Sequence, residues 1–183
     1  MMGAAEQSDM PAIDTTNDQT HAPADLIGHA IIAGYGVPGR AFAEWLTHHQ
    51  LAFVVIEQNA AIVERCGKSG TTIIAGNVSE ESTLIRAGIE RASVLALCIP
   101  LEAIIMETIP LARKLNPKIR IIARVAYVSS ALEAIRKGAD ETVVAEELAA
   151  REFVRLLEGG RAMIHSAADG VVKPTAHVSE ASA

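Results

Sequence analysis

Along the chain, short apolar runs of three to six residues alternate with longer segments whose apolar positions recur every three or four residues. The short runs read as buried strands and the longer ones as amphipathic helices, and strict alternation of the two is the pattern of βα units around a parallel sheet. Strands are predicted at His29–Ala33, Ala52–Ile56, Thr72–Ala75, Val94–Ile99, Ile119–Arg124 and Thr142–Val144. The helices between and after them are predicted at Pro38–His49, Ala60–Gly67, Glu80–Ala87, Leu101–Leu115, Val128–Lys137 and Glu146–Leu157. Asn59 and Ser79 suit N-caps, Gly88 and Gly138 suit the left-handed residue that ends a helix, and Asn116-Pro117 stops the fourth helix. The expected fold class is α/β: a single domain with a Rossmann-like, doubly wound, six-stranded parallel sheet, ordered 321456 by right-handed crossovers.

The ends of the chain lack this alternation. Residues 1–28 carry five acids and no base and are expected to be a disordered acidic tail; 159–183 are small and polar and are expected to be a flexible tail. The folded part is then 29–158, with 15 acids against 14 bases, so most of the net charge of −6 belongs to the tails. That near-neutral domain offers no basic footprint for a phosphate backbone, and its few aromatic residues offer no stacking platform, so nucleic acid is excluded as a partner. No uninterrupted apolar run is long enough to span a bilayer, and no Lys or Arg precedes Arg40, which argues against a signal or transit peptide. A cytoplasmic protein, or one peripheral at the inner face of the membrane, is expected. Cys66 and Cys98 are far apart and lack metal-ligand spacing, so they read as reduced thiols and no metal site is expected.

Chemistry concentrates after the first strand, in HAIIAGYGVPGRAF, where Gly34, Gly36 and Gly39 form GxGxxG at the start of a helix. The first glycine permits the turn, the second lets a pyrophosphate approach the backbone, and the third lets helix and sheet pack closely, while free N–H groups at the helix start face the phosphates. The second strand ends at Glu57, 21 residues after Gly36, where a carboxylate accepts from a ribose 2′-hydroxyl and disfavours a 2′-phosphate. Arg40 follows the third glycine within reach of a phosphate, and Arg124 stands at the carboxyl end of the fifth strand, the side on which such sheets bind ligands. No catalytic residue is assigned: GxSxG, Walker GKS/GKT and HExxH are absent, and no histidine falls at the strand ends that line the cleft. The acidic pairs Glu80-Glu81 and Glu146-Glu147 open helices, where the dipole favours them. A nucleotide-binding module that senses rather than turns over its ligand is the expectation.

The segments HAIIAGYGVPGR, VVIEQN, GNVSEESTLIRAGIERASVLALCIP, IIARV and KGADETVVAEE resemble the RCK N-terminal, or TrkA-N, domain of potassium channels, transporters and K⁺/H⁺ antiporters, over about His29–Leu157. The long third segment carries most of this likeness. The resemblance implies a cofactor site made by the loop Gly34, Tyr35, Gly36, Val37, Pro38, Gly39 and Arg40, by Glu57 with its neighbour Gln58, by Asn77 and Val78 beside the adenine, and by Arg124. It implies NAD(H) or ATP, ADP or AMP as ligand, a homodimer or higher assembly of dimers, and a membrane channel, transporter or antiporter for potassium or another monovalent cation as partner. Two positions depart from the family pattern: Val37 stands where Arg is typical, and Asn77 where Asp is frequent. The stripe Leu148, Phe153, Leu156 and Leu157 on the last helix would suit the dimer surface, and LIGH before the first strand resembles the junction to an antiporter's membrane part. Two other functions fit the residues, a small NAD-dependent oxidoreductase with an intersubunit site and a nucleotide-free dimeric scaffold; a hydride-transfer assay and a ligand screen separate them.

Overall fold

A computed structural model describes residues 21–159. The six strands are β1 (Ala30–Ala33), β2 (Phe53–Glu57), β3 (Ile73–Ala75), β4 (Val94–Leu97), β5 (Arg120–Val125) and β6 (Glu141–Val144). They form one all-parallel sheet in the order β3-β2-β1-β4-β5-β6, as the alternating pattern predicts. The helices are α1 (Val37–His48), α2 (Ala60–Lys68), α3 (Glu81–Arg86), α4 (Glu102–Leu115), α5 (Val128–Lys137) and α6 (Ala145–Gly159), with a 3₁₀ turn at Ile89–Arg91 after α3.

Because side chains alternate across a strand, each strand feeds two cores. Ile31, Val54, Ile56, Ile74, Leu95, Leu97, Ile121 and Val125 face α3, α4 and α5 and are completely or almost completely buried. Ala30, Ile32, Val55 and Ile73 face α1 and α2, with Ala43, Leu46 and Cys66. At about 1.5–3 kcal/mol for each large aliphatic side chain withdrawn from water, these two layers hold the domain together. The second layer stops short: among the described residues no helix lies over β5 and β6, and Ile122, Arg124 and Val143 on that face remain partly or fully exposed.

Local punctuation follows the sequence with one exception. Asn59 caps α2, its Oδ1 accepting from Ala61 N–H at 3.0 Å and Ile62 N–H at 3.4 Å, and Gly88 and Gly138 adopt positive φ after α3 and α5. Asn116 ends α4 and its Nδ2 donates to the Ile89 and Ala92 carbonyls, both at 2.9 Å. Ser79 is not the cap of α3: the helix begins one residue later, with Glu80 at the N-cap, because Ser79 lies inside the turn that Asn77 closes by accepting the Ser79 N–H on Oδ1 and the Glu80 N–H on its carbonyl.

The boundary of the N-terminal tail also shifts. Residues 22–28, expected with the tail, form a strap across the amino end of the sheet. Ala22 is buried and donates to the Arg86 carbonyl at 2.7 Å, Leu26 packs on the core, and Arg91 donates to the Leu26 carbonyl at 3.3 Å and lies 3.5 Å from that of Pro23. Two apolar side chains and one arginine with carbonyls to satisfy outweigh the tail-like composition. The remainder of that expected tail, and the C-terminal tail after Gly159, lie outside the described residues.

Candidate functional site

The carboxyl ends of β1, β2, β3 and β4 surround a cleft of about 290 Å³. Of the residues singled out in the sequence, Gly34, Gly36, Glu57, Gln58, Asn77 and Val78 all line it. Gly34 turns the chain with φ +90°, and a Cβ there would lie 2.6 Å from Ile99 Cγ2. At Gly39 a Cβ would lie 2.0 Å from the Gly34 carbonyl oxygen, so this glycine lets α1 close on the loop. Gly36 differs from both. Its φ is an ordinary −72°, and a Cβ would meet nothing nearer than Pro38 Cδ at 4.0 Å. The fold itself therefore does not require glycine at 36.

Gly36 is also the N-cap of α1 and has no side chain with which to cap it, and Pro38 contributes no N–H. The first-turn N–H groups of α1 are left for an anion, which the helix dipole favours at that end. Glu57, the last residue of β2, holds the loop from the other side. Its Oε2 accepts the Tyr35 N–H at 2.8 Å, and its Oε1 accepts the N–H groups of Gln58 and Asn59 at 2.8 and 2.9 Å. One carboxylate thus fixes the glycine loop and the start of α2 while standing in the cleft wall. Sequence spacing locates Glu57 but gives no sign of this second task, which depends on the loop folding back over β2.

The other expected site residues are distributed around the cleft. Tyr35 and Arg40 line a separate shallow recess beside α1, and Val37 is 74% exposed on the surface. Pro38 and Arg124 line a second depression, of about 270 Å³, with Phe42, Ile122, Val143 and Leu148. Cys98 forms part of both walls. Burial pushes its thiol up to about 11 despite nearby Arg124, so it is a neutral thiol at physiological pH. The β4–α4 junction, Ile99 to Leu101 with Ile104 behind it, closes the cleft on the side opposite Glu57. These apolar residues carry no motif that would mark them in the sequence. Nearby, Glu102 accepts hydrogen bonds from Ala126 N–H and, at 2.8 Å, from Ser130 Oγ, which hold its carboxyl below the usual value and tie α4 to the β5–α5 loop.

Comparison with known proteins decides between the nucleotide-binding families that this loop serves. The model of the TrkA-N domain matches residues 30–145, which spans the whole sheet and every residue of the cleft. The chain belongs to the TrkA-N domain family. A curated relative, the putative cation/proton antiporter YbaL of Escherichia coli, is 32% identical over 145 residues, which is 79% of this chain and 26% of YbaL. Potassium channel protein 1 of Methanocaldococcus jannaschii is 29% identical over 133 residues, 72% of this chain and 40% of the channel. The TrkA-N domain thus spans a quarter to two-fifths of these relatives. The crystal structure of the TrkA-N domain of E. coli ybaL superposes with a TM-score of 0.69 at 33% identity, covering 73% of this chain and 98% of that one. The GsuK channel bound to NAD (TM-score 0.62, 20% identity, 67% of this chain and 22% of that one) and the AMP-bound Kef CTD of Shewanella denitrificans (0.59, 22%, 78% and 89%) share the fold. Among the described residues of this TrkA-N domain, no helix is long and apolar enough to cross a membrane.

Proposed function

We propose that this TrkA-N domain is a regulatory subunit that binds NAD(H) or an adenine nucleotide (ATP, ADP or AMP) and thereby controls potassium or other monovalent cation transport through a membrane channel, transporter or antiporter. One observation carries the nucleotide reading: Gly36 presents bare backbone to an open cleft that also holds the Glu57 carboxylate and an uncapped helix N-terminus. Phosphate at the helix start and ribose hydroxyls at Glu57 satisfy both features with one ligand. The transport reading is supported by the relatives, named as an antiporter and a potassium channel, and the ligand reading by neighbours whose names state NAD and AMP. The domain performs no chemistry on its ligand. It acts by binding one conformation more tightly than another, since equal affinity for both shifts no population.

The working unit is a homodimer held at the inner face of the membrane. Every side chain of α6 from Glu146 to Glu158 is exposed, including Leu148, Phe153, Leu156 and Leu157, so the helix leaves its own sheet uncovered and needs a second copy to bury its stripe.

The deciding measurement is a thermal-shift series with NAD⁺, NADH, NADP⁺, ATP, ADP and AMP on the wild type and on Glu57→Ala. A ligand at about 100 times its dissociation constant adds ~2.7 kcal/mol. The expected result is a selective rise in Tm, absent with NADP⁺ and lost in Glu57→Ala, which also lowers the ligand-free stability by about 1–3 kcal/mol because Tyr35 N–H loses its acceptor. No shift with any nucleotide would leave a ligand-free scaffold in place of this reading.

A further inference from the structure

The strap and His29 are fastened to one short segment, 86–91, at the end of α3 and in the 3₁₀ turn. The Ala22 N–H donates to the Arg86 carbonyl at 2.7 Å, the Gly28 N–H to the Arg91 carbonyl at 2.8 Å, the Arg91 side chain to the Leu26 carbonyl at 3.3 Å, and the His29 ring to the Ala87 carbonyl at 2.9 Å. A carbonyl only accepts, so the neutral ring carries its proton on Nε2 and leaves Nδ1 as a bare acceptor. That Nδ1 is buried without a partner among the described residues. A Cβ built on Gly88 would lie 3.1 Å from both His29 Cε1 and Arg91 Nη2, so ring and guanidinium flank the same glycine.

A proton taken up by this ring would sit on Nδ1, facing no acceptor among the described residues, and would place a second cation beside Arg91 in a site closed to water. Burial, and to a lesser degree the Arg91 charge, pushes the pKa of the ring down. Of the other charges on the elements around it, Arg86 at the end of α3 donates to the Ala75 carbonyl, Glu90 is exposed on the 3₁₀ turn, Arg120 of β5 pairs with Glu141, and His21 and Asp25 are exposed on the strap side. Arg91 is thus the charge that the ring answers to, and Arg91 is also what holds the strap. β1 is paired along its whole length with β2 and β4, whereas residues 22–28 rest on the bonds above, on one from Ser93 Oγ to the Gly28 carbonyl at 2.6 Å, and on the side chains of Ala22 and Leu26. We propose that protonation of His29 unfastens the strap from α3 and the 3₁₀ turn while the sheet stays intact, which makes residues 22–28 an acid-responsive fastener at the amino end of the domain. It lies at the opposite end of the strands from the cleft and needs no nucleotide.

Amide hydrogen exchange of the full chain from pH 7.5 to 5, corrected for the intrinsic pH dependence of exchange, tests it at Ala22 and Gly28 against β1. Opening exposes the imidazole and takes up one proton, so protection at Ala22 and Gly28 is expected to fall about tenfold between about pH 6.5, the ordinary imidazole value, and pH 5, with β1 protected throughout. His29→Gln keeps a donor to Ala87 without the titration and is expected to hold that protection level; His21→Gln is expected to behave as the wild type. A wild-type strap that stays protected down to pH 5, a loss that His29→Gln repeats or His21→Gln abolishes, or a loss that spreads to β1 at the same pH overturns the proposal. Should His29→Gln fail to fold, NMR of the wild-type imidazole decides: ring charging in step with loss of the strap amides supports the proposal, and amides lost while the ring is neutral overturn it.

Discussion

Three glycines in one motif do three different jobs here, and single substitutions separate them. Alanine at Gly39 drives a Cβ to within 2.0 Å of a carbonyl oxygen, so the loop or the helix must shift. Gly39→Ala is expected to lower stability by several kcal/mol in denaturant unfolding, in the range of other overpacked or strained sites. Gly36→Ala meets nothing within 4 Å other than Pro38 Cδ at that limit, has no φ penalty, and is expected to unfold like the wild type while losing the nucleotide-induced rise in Tm. Equal unfolding midpoints for the two variants would contradict this division of labour. The pair also shows what the sequence discloses: GxGxxG marks the loop, but which of its glycines the packing requires becomes visible only from the atoms around each one.

At the scale of elements, α3 and the 3₁₀ turn behind it connect the cleft to the strap. Arg86 donates to the Ala75 carbonyl at 2.9 Å beside Gly76, its own carbonyl accepts from Ala22, and Arg91 holds the strap at Leu26. Beneath this joint lies His29, 1% exposed, its Nε2 2.9 Å from the Ala87 carbonyl and its Nδ1 buried without a partner among the described residues. Burial, with a smaller effect from the Arg91 charge, pushes its pKa below 6.5. A histidine lowered in the fold stabilises it while neutral; this contribution is complete above the unfolded value and is lost as pH falls through the folded one. Stability is therefore expected to drop as pH is lowered from 7 toward 5, and His29→Gln, which can still donate to Ala87, to flatten that part of the Tm profile. A profile that His29→Gln leaves unchanged would place the acid sensitivity elsewhere. Strand and helix order were legible from periodicity alone, because six apolar runs separated by amphipathic ones leave a single economical topology. The strap was not, since it is fixed by an arginine 65 residues downstream of Leu26, and acidic, Pro-containing composition outweighed two small apolar anchors. Val37 and Arg124 were read from position in a motif, and their side chains lie outside the main cleft because the loop turns outward after Gly36 and β5 lies beyond β4.

For the whole molecule, the decisive feature is incompleteness. One face of the sheet is fully covered by α3, α4 and α5, whereas the other is left open over β5 and β6 among the described residues, and α6 keeps its apolar stripe exposed. Phe153, 69% exposed, is the largest side chain of that stripe. Phe153→Asp is expected to turn a dimer into a monomer in light scattering without changing the far-ultraviolet circular dichroism, and an unchanged mass would remove α6 from the interface.

The strap leads straight into β1, which lies in the middle of the sheet with β2 on one side and β4 on the other. Tension applied to the chain ahead of Ala22 would first meet the Ala22–Arg86 hydrogen bond and the Arg91 fastening and would then load β1 along its length against both neighbours at once. Parallel ladders loaded in this direction share the force among all their hydrogen bonds instead of opening one at a time. A tether at this end would therefore transmit a pull into the centre of the domain, directly behind the glycine loop, before any edge strand yielded.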